Sequence, residues 1–390
     1  MEIKRAFRYE LDLNDVQRTA CLRHAGAARW AFNFGLRRKK EAYAAGEKTP
    51  TAVDLHRELN LLKQTEIPWM YDCSKAAPQE ALRNLDRAFT NFFAKRSRFP
   101  RFKSRKRGIG SFRLTGSIHV SGKAVQLPRL GVLRLKEESA VTGRILSATV
   151  SERASRWFVS LQVETSIVVP DNQGPTVGVD LGIKTLATLS DGRVFENPKS
   201  YRRKLQILKR AQRIVSRRQK GSKRREQAKR RVGKLHYRVA CCRADAIHKM
   251  TTFIAMTYGA VGIEDLNVSG MKKNHRLAGA VSDAAFGEIR RQLTYKCEWY
   301  GSELVVHDRF MPSSKTCSQC GDVKDSLSLS DRTFRCEGCG HEQDRDLNAA
   351  INLQPPVRRL LGIEAGALAV GQPAVKLRPM KCQPNAVKNR

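Results

Sequence analysis

Four cysteines towards the end of the chain have the spacing of a metal-binding site. Cys317 and Cys320 form one pair, and Cys336 and Cys339 form a second pair after fifteen intervening residues. Pairs of this kind on two facing turns place four thiolates around one ion, which is the arrangement of a structural Zn²⁺ site. Because four thiolates leave no open coordination position, the pattern predicts one structural zinc ion. The alternative is a set of free or redox-active thiols.

Three carboxylates lie directly beside apolar segments, which is unusual in a chain with 73 Lys and Arg against 37 Asp and Glu. Asp180 follows the apolar run 177–179, Glu264 follows the apolar run 261–263, and Asp346 opens a helical segment at 347–353. If these segments meet at one edge of a sheet, the carboxylates form a cage of hard oxygen ligands suited to two Mg²⁺ ions. Each could instead be a helix cap or a surface ion pair, and we assign the neighbouring Asp265 and Asp344 to that class.

Hydrophobic periodicity predicts two architectures that would position these residues. Residues 2–13 alternate as a half-buried strand, residues 14 to about 94 are helical, and strand patterns return after residue 111. One early strand and a later series of strands indicate a small β-barrel interrupted by a helical insertion. After a linker at 171–175, strands alternate with helices, which is typical of an α/β domain. Two of these helices are long and basic and are separated at Gly221 and Ser222.

The charge of the chain indicates its kind of partner. There are 73 Lys and Arg against 37 Asp and Glu, which gives a net charge of +36 over 390 residues. This excess predicts a polyanionic partner, while 41% hydrophobic residues are enough to build folded cores. Eight basic residues lie at 95–107, interleaved with Phe99 and Phe102, and eighteen lie at 199–238. Such stretches bind phosphates through counterion release, although a solvated basic face is the alternative. With no membrane-length apolar run and no leader-like N-terminus, the expected location is intracellular.

The motifs resemble those of the TnpB (OrfB) family, the transposon-associated RNA-guided DNA endonucleases related to type V CRISPR effectors. The resemblance covers about residues 1–354. Four motifs stand in the family's order: GVDLGIK at 178–184, GIEDL at 262–266, PSSKTCSQCG at 312–321 and DRDLNAA at 344–350. Two further stretches, GAARWAFN at 26–33 and FPRFK at 99–103, are also similar to family motifs.

The resemblance implies an α+β multidomain fold with an RNase H-like (RuvC) α/β nuclease core. The expected N-terminal part is a wedge β-barrel at 1–13 and 112–170 that carries a helical recognition insertion at 14–111. After the linker, the nuclease core would occupy 176–311 and 342–354, with an inserted zinc ribbon, binding target nucleic acid, at 312–341. Residues 355–390 are expected to form a disordered basic tail.

The resemblance also implies an activity and its cofactors. Asp180, Glu264 and Asp346 would form the catalytic triad, with Asp180 bridging two Mg²⁺ (or Mn²⁺) ions and each of the others holding one. One ion would lower the pKa of the attacking water, and the other would stabilise the leaving 3′ oxygen. The structural Zn²⁺ would be held by the four cysteines of the two pairs.

The expected partners are a guide RNA from the transposon end and double-stranded target DNA beside a short transposon-adjacent motif. Lys75 and Gln79 match the helix with which relatives read this motif. His56 and Ala52 occupy positions where relatives make other DNA contacts, but the residue types differ. The protein is expected to act as a monomer within a ribonucleoprotein, in the prokaryotic cytoplasm and associated with the nucleoid. Further nucleic-acid contacts are expected at Arg29, Asn33, Arg98, Arg101, Lys103, Arg105, Lys106, Arg202, Arg203, Lys209, Arg210, Arg217, Arg218, Lys223 and Arg224.

Other functions remain open from the sequence. A nuclease-inactive RNA-guided repressor would share the fold, but the intact triad argues against it. A compact CRISPR effector would differ mainly in gene neighbourhood. A strand-transferring transposase is disfavoured because no histidine-hydrophobic-histidine motif with a catalytic tyrosine is present, and a guide-independent resolvase is disfavoured by the zinc insertion and the N-terminal half.

Overall fold

The computed structural model describes residues 1–328 and 331–356, which form two compact units. The predicted tail at 355–390 therefore lies almost entirely outside the described residues. Within these residues, no helix has the length and apolar character needed to cross a membrane.

The first unit, residues 1–167, is a seven-stranded antiparallel sheet with three long helices. Its strands are β1 (Glu2–Asp12), β2 (Ser111–Leu114), β3 (His119–Ser121), β4 (Ala124–Leu127), β5 (Gly131–Leu135), β6 (Arg144–Arg153) and β7 (Arg156–Ser166). The order is β2-β6-β7-β1-β5-β4-β3, so the first strand of the chain lies inside the sheet between two late strands. No pairing between β2 and β3 occurs among the described residues, and closure into a barrel stays a prediction.

The helices of this unit are α1 (Asp15–Ala44), α2 (Ala52–Thr65) and α3 (Ala76–Phe93). Capping boxes begin the first two, with Asn14 and Gln17 at α1 and Thr51 and Asp54 at α2. At Gly35 an added Cβ would lie 2.8 Å from Leu82, so the glycine lets α1 approach α3 closely. The alternation predicted for residues 2–13 is present in β1, where Ile3, Tyr9 and Leu11 are buried.

The second unit begins at residue 168 and contains a five-stranded mixed sheet. Its strands are β8 (Thr176–Asp180), β9 (Thr185–Leu189), β10 (Val194–Glu196), β11 (Ala260–Glu264) and β12 (Glu303–His307), in the order β10-β9-β8-β11-β12. Strands β8, β11 and β12 are parallel to one another, and β9 and β10 are antiparallel to their neighbours. A short hairpin of β13 (Thr333–Arg335) and β14 (Glu342–Asp344) follows. This mixed α/β architecture confirms the predicted fold class at its coarse level.

The helices of the second unit cover and extend this sheet. They are α4 (Ser200–Arg217), α5 (Lys223–Thr257), α6 (Val268–Met271), α7 (Ala278–Ala284), α8 (Phe286–Tyr300) and α9 (Arg345–Asn352). The basic pair α4 and α5 is interrupted where predicted, and Gly221 there has a φ of +88° that favours glycine. Ile254 of α5 and Leu293 of α8 are fully buried with Val177 and Ile263 of the sheet in one core.

Candidate functional site

The parallel strands β8 and β11 bring two of the predicted carboxylates to the same edge of the sheet. Val179 is the register partner of Ile263, so Asp180 and Glu264, one residue further on, both lie at the carboxyl ends of neighbouring strands. Asp346 lies in the first turn of α9. All three line one cavity of about 640 Å³, and each is partly buried. The structure therefore brings together three carboxylates that are widely separated in sequence.

Glycines in the two strands determine how α9 reaches this edge. A Cβ added at Gly178 would lie 1.8 Å from the carbonyl oxygen of Ala350, and one added at Gly262 would lie 1.8 Å from that of Leu353. Any side chain at either position would therefore force the end of α9 away from the sheet. His307 holds the same end through a 2.9 Å hydrogen bond between Nε2 and the Leu353 carbonyl.

The electrostatics of the cavity indicate a site for cations. Burial, followed by the negative charges of Asp346 and Glu264, raises the pKa of Asp180 to about 7, while Arg345 acts in the opposite sense. A carboxyl with this pKa is largely protonated below neutral pH unless a cation compensates its charge. Three carboxylates that line one cavity are a donor set that fits Mg²⁺ or Mn²⁺.

The neighbouring carboxylates Asp344 and Asp265 have the structural roles that were predicted for them. Asp344 is the N-cap of α9, and its Oδ1 accepts hydrogen bonds from the backbone N–H groups of Asp346 at 2.9 Å and Leu347 at 3.1 Å. Asp265 is paired with Arg309 at 2.6 Å and with Arg290. The hydrogen bond from Arg309, and then the one from Arg290, hold the pKa of Asp265 below its usual value.

Basic side chains also line the acidic cavity, a feature that the sequence motifs did not predict. Arg345 contacts Asp346, with 3.1 Å between Nη2 and Oδ1. Further lining residues are Lys184, Lys199, Arg202 and Arg332. The motifs do contain basic residues near the carboxylates, Lys184 after Asp180 and Arg345 before Asp346. Sequence alone does not show whether these basic side chains point into the cavity. A cavity with carboxylates among cations suits a phosphate backbone whose charge is partly neutralised by the protein.

The four cysteines of the two pairs form one compact cluster. The Sγ atoms of Cys317, Cys320, Cys336 and Cys339 all lie within 4.8 Å of one another, a grouping that could hold a metal ion. Each pair is closed by a backbone hydrogen bond from the residue after it, Gly321 to Cys317 at 3.0 Å and Gly340 to Cys336 at 3.1 Å. Both glycines have positive φ, of +79° and +72°, as such turns require.

The predicted nucleic-acid contacts in the second unit lie on the exposed faces of the α4–α5 hairpin. Arg202, which also lines the acidic cavity, belongs to this group. The exposed members are Arg202, Arg203, Lys209, Arg210, Arg217, Arg218, Lys223 and Arg224.

The predicted contacts in the first unit are more varied. Lys75 is exposed at the start of α3 and Gln79 is partly buried one turn later, on the same face. Arg98, Arg101, Arg105 and Lys106 are exposed in the loop after α3.

Two of the predicted contacts, Arg29 and Asn33, have structural partners. Arg29 donates to the carbonyl of Ile109 at 3.1 Å. Asn33 makes two hydrogen bonds to the backbone of Lys103, at 2.9 and 2.7 Å, and the Lys103 ammonium lies 3.9 Å from the centre of the Phe32 ring. These residues fasten the loop that carries the basic stretch to α1, which is a role that the sequence did not indicate.

Three family models match the chain. One described as a probable transposase (OrfB, IS605) matches residues 158–275, a Cas12f1-like TNB domain matches 286–353, and a helix-turn-helix domain matches 1–48. A putative RNA-guided DNA endonuclease of Streptomyces pristinaespiralis is 41% identical over 362 residues, covering 90% of this chain and 89% of the relative. The putative RNA-guided DNA endonuclease InsQ of Escherichia coli K12 is 34% identical and covers 98% of both chains.

The chain belongs to the OrfB/TnpB family.

The TNB match of this family member spans α8, β12, the cysteine cluster and α9, and so includes Asp346. The match to a solved structure of the mini-RNA-guided endonuclease CRISPR-Cas_phi3 covers 90% of this chain and 92% of that one, with 9% sequence identity and a TM-score of 0.45.

Proposed function

We propose that this OrfB/TnpB protein is an RNA-guided DNA endonuclease that binds a guide RNA from the transposon end and cuts double-stranded DNA beside a short adjacent motif. The observation that carries the proposal is the convergence of Asp180, Glu264 and Asp346 on one cavity. The names of the relatives, which match along nearly the whole chain, support the same activity. In the cell the protein would act as a monomer in a ribonucleoprotein, in the prokaryotic cytoplasm and at the nucleoid.

Asp180, Glu264 and Asp346 would hold two Mg²⁺ or Mn²⁺ ions, in an RNase H-like (RuvC) nuclease core. When bound, such ions activate a water and stabilise the leaving 3′ oxygen of a phosphodiester. The chain supplies the frame for this chemistry. Strands β8 and β11 fix Asp180 and Glu264, the Asp344 cap fixes the first turn of α9, and Arg345 restrains the carboxylate of Asp346.

The cysteine cluster would hold one structural Zn²⁺ within a zinc ribbon at 312–341. Four sulfur donors within 4.8 Å of one another fit this ion, and no other protein ligand is needed to complete a tetrahedral set. His341 contributes its backbone, which accepts a 2.8 Å hydrogen bond from Cys336. Zinc at this site would stabilise the ribbon and take no part in the reaction.

The nucleic acids would be held mainly through their phosphates. The exposed cations of α4 and α5, and those of residues 95–107, provide sequence-independent affinity that falls steeply with salt. Base pairing between guide and target would supply sequence selection. Lys75 and Gln79, in the proposed recognition insertion at 14–111, would read the adjacent motif, because Lys donates to guanine acceptors and Gln can pair with adenine. The wedge would comprise residues 1–13 and 112–170.

A guide-exchange experiment tests this function. The protein is purified from cells that transcribe its own gene with both flanks, and the RNA that copurifies is sequenced. The complex is then rebuilt with that RNA carrying a new guide sequence, and is given plasmids with the matching target beside a randomised flank. We expect Mg²⁺-dependent cutting of matched plasmids carrying one short flanking motif.

The matched control is the same complex with a guide that has no target in the plasmid library. Guide-dependent binding without cutting at any Mg²⁺ concentration would identify a repressor instead. Cutting that is equal for matched and unmatched guides would identify a guide-independent nuclease and overturn the proposal.

A further inference from the structure

A short segment links the acidic cavity with the cysteine cluster. The bridging segment, residues 312–318, precedes and includes Cys317, the first cysteine of the cluster. Within it, the Ser313 hydroxyl donates a 3.0 Å hydrogen bond to Oε1 of Glu264. Ser313 is 3% exposed, so water does not readily replace this bond. The partners are 49 residues apart in sequence, and Glu264 belongs to the central sheet rather than to the segment.

The opposite side of the bridging segment is fastened to α9, the helix that carries Asp346. The Nδ2 group of Asn352 donates to the carbonyls of Ser313 at 2.8 Å and Thr316 at 2.7 Å. Asn348, which is fully buried, donates to the Thr316 carbonyl at 2.7 Å and accepts from the Ser318 N–H at 3.0 Å. The two asparagines lie one turn apart and face the same way. One segment therefore contacts Glu264 through a side chain and the Asp346 helix through its backbone.

We propose that Ser313 is a positioning residue that holds the Glu264 carboxylate for cation binding, and that the bridging segment thereby couples the cysteine cluster to the acidic site. The inference rests on the proposed function, since it concerns the same carboxylates. Ser313 lies in the wall of the acidic cavity, and in this proposal it acts through its hydrogen bond to Glu264.

A hydrogen bond from Ser313 would favour cation binding because the side chain of a glutamate at the end of a strand is otherwise free to rotate. Glu264 has three rotatable bonds, and fixing such a side chain has an entropic cost that is otherwise met when a cation binds. The Ser313 bond meets this cost in advance and occupies only Oε1, which leaves the second oxygen for a ligand. Hydrogen bonds to metal-binding carboxylates act in this way, and their loss lowers metal affinity.

The test compares Ser313→Ala and Ser313→Thr with Ser302→Ala. Ser302 is a second buried serine of the same unit, 9% exposed, which lies between α8 and β12 and is not among the residues that line the acidic cavity. For each ribonucleoprotein, Mn²⁺ is titrated without DNA and followed by the rise in melting temperature. Mg²⁺ is then titrated in a cleavage assay, and zinc content and metal-free melting temperature are measured.

We expect Ser313→Ala to raise the Mn²⁺ midpoint and the Mg²⁺ concentration for half-maximal cleavage by about tenfold. Ser313→Thr keeps the hydroxyl and should stay within about threefold of the wild type, as should Ser302→Ala. Zinc content and guided DNA binding without divalent ions should be unchanged in all three variants.

Two outcomes overturn the positioning role. One is a Ser313→Ala variant that lowers the metal-free melting temperature and leaves both midpoints at the wild-type value. The other is an equal shift for Ser313→Ala, Ser313→Thr and Ser302→Ala, which would indicate general loosening.

The two proposals fail separately in this experiment. If the wild type never cuts but Ser313→Ala still shifts the Mn²⁺ midpoint, the proposed function is wrong and the positioning role stands. If the wild type cuts and Ser313→Ala shifts neither midpoint, the positioning role is wrong and the function stands.

Discussion

The cysteine cluster and the acidic cavity are two candidate metal sites that the chain assembles in opposite ways. The cysteines lie within 23 consecutive residues, and their sulfur atoms converge through two local turns. The carboxylates come from two strands and a helix, with Glu264 84 residues after Asp180 and Asp346 82 residues after Glu264. The first site depends on local backbone conformation, and the second depends on the packing of a whole sheet and the helix across it.

The two sites also differ in how strongly their own groups repel one another when no ion is bound. The cysteine sulfur atoms can hydrogen-bond to one another without metal, Cys317 to Cys339 at 3.7 Å and Cys320 to Cys336 at 3.5 Å, whereas three ionised carboxylates repel one another. The raised pKa of Asp180 records that repulsion together with its burial. The cysteine site is therefore formed by local turns, whereas the surrounding fold holds the acidic site in place against its own charge.

The largest expected effect is the loss of cleavage when a carboxylate of the acidic site is removed, compared with removal of a neighbouring carboxylate. Asp180→Ala should lower Mg²⁺-dependent cleavage by about 1,000-fold or more, because it removes a ligand at the reacting centre. Guided DNA binding should stay near the wild-type level. The measurement is single-turnover cleavage with a binding assay on the same samples.

The matched control is Asp265→Asn, which removes an adjacent charge that is paired with Arg309 and Arg290. It should retain cleavage within about tenfold, since Asp265 is occupied by ion pairs. Equal losses in both variants would show that the chemistry depends on overall negative charge rather than on the three clustered carboxylates.

The second prediction concerns the cysteine site. Cys320→Ser should remove bound zinc and make residues 312–341 sensitive to protease, because zinc binding is coupled to folding of the ribbon. Cleavage should fall by about 10- to 100-fold, since the bridging segment would no longer be fixed. Zinc analysis, limited proteolysis and the cleavage assay measure the three effects.

Cys241→Ser, at a cysteine on α5 outside the cluster, is the control and should keep zinc and activity. A Cys320→Ser protein that loses zinc but cuts at the wild-type rate would show that the two sites are independent.

The third prediction tests the packing of α9 without changing any charge. Gly178→Ala should destabilise the second unit by about 3 kcal/mol, because its Cβ would overlap the Ala350 carbonyl. It should also weaken cation binding, because Asp346 moves with α9. Denaturant unfolding and the Mn²⁺ midpoint provide the two measurements.

Gly287→Ala is the matched control, since nothing lies within 4 Å of an added Cβ at this position of α8. It should be neutral or stabilise by up to about 1 kcal/mol. Unaltered cation affinity in a destabilised Gly178→Ala protein would mean that Asp346 is not held through this contact.

The smallest expected effect is a pH dependence of the free energy of unfolding, measured without added Mg²⁺ or Mn²⁺. The pKa of Asp180 is raised to about 7 in the folded state, so between pH 4 and 7 the native state binds more protons than the unfolded state. The free energy of unfolding should therefore fall as pH rises through this range. Relative to Asp180→Asn, the wild type should lose on the order of 2 kcal/mol between pH 5 and pH 8.

Asp265→Asn serves as the control here too, because the pKa of Asp265 is lowered and its stabilisation is lost only in acid. Unfolding by urea at pH 5 and pH 8 gives the comparison. Parallel curves for the wild type and Asp180→Asn would contradict the electrostatic account of the cavity.

The cysteine cluster could be predicted from spacing alone, whereas the acidic cavity needed an assumption about where strands end. Asp180, Glu264 and Asp346 each follow or open an apolar segment, and that pattern indicated a shared sheet edge. Sequence could not separate them from helix caps, and Asp344, two residues from Asp346, is such a cap.

Other features were beyond a reading of local patterns. The bond from Ser313 to Glu264 and the fastening of Lys103 by Asn33 join residues 49 and 70 positions apart. Neither carries a periodic or compositional signal, because a single polar side chain looks the same whether it faces water or a distant partner. The strand order of the first unit was predicted only in part: β1 was expected to join the later strands, but nothing in its sequence indicated that its partners would be β5 and β7.

The position of α9 has a consequence for synthesis on the ribosome. The sheet edge with Asp180 and Glu264 is encoded well before α9, and the strand glycines at 178 and 262 stay uncovered until residues 350–353 emerge. Asp346 arrives with that same late helix. A nascent chain that is stalled or truncated before this point would carry the basic α4–α5 hairpin but lack a complete acidic site. Such a fragment would bind nucleic acid without cutting it, so the proposed activity would begin only after translation has passed residues 350–353.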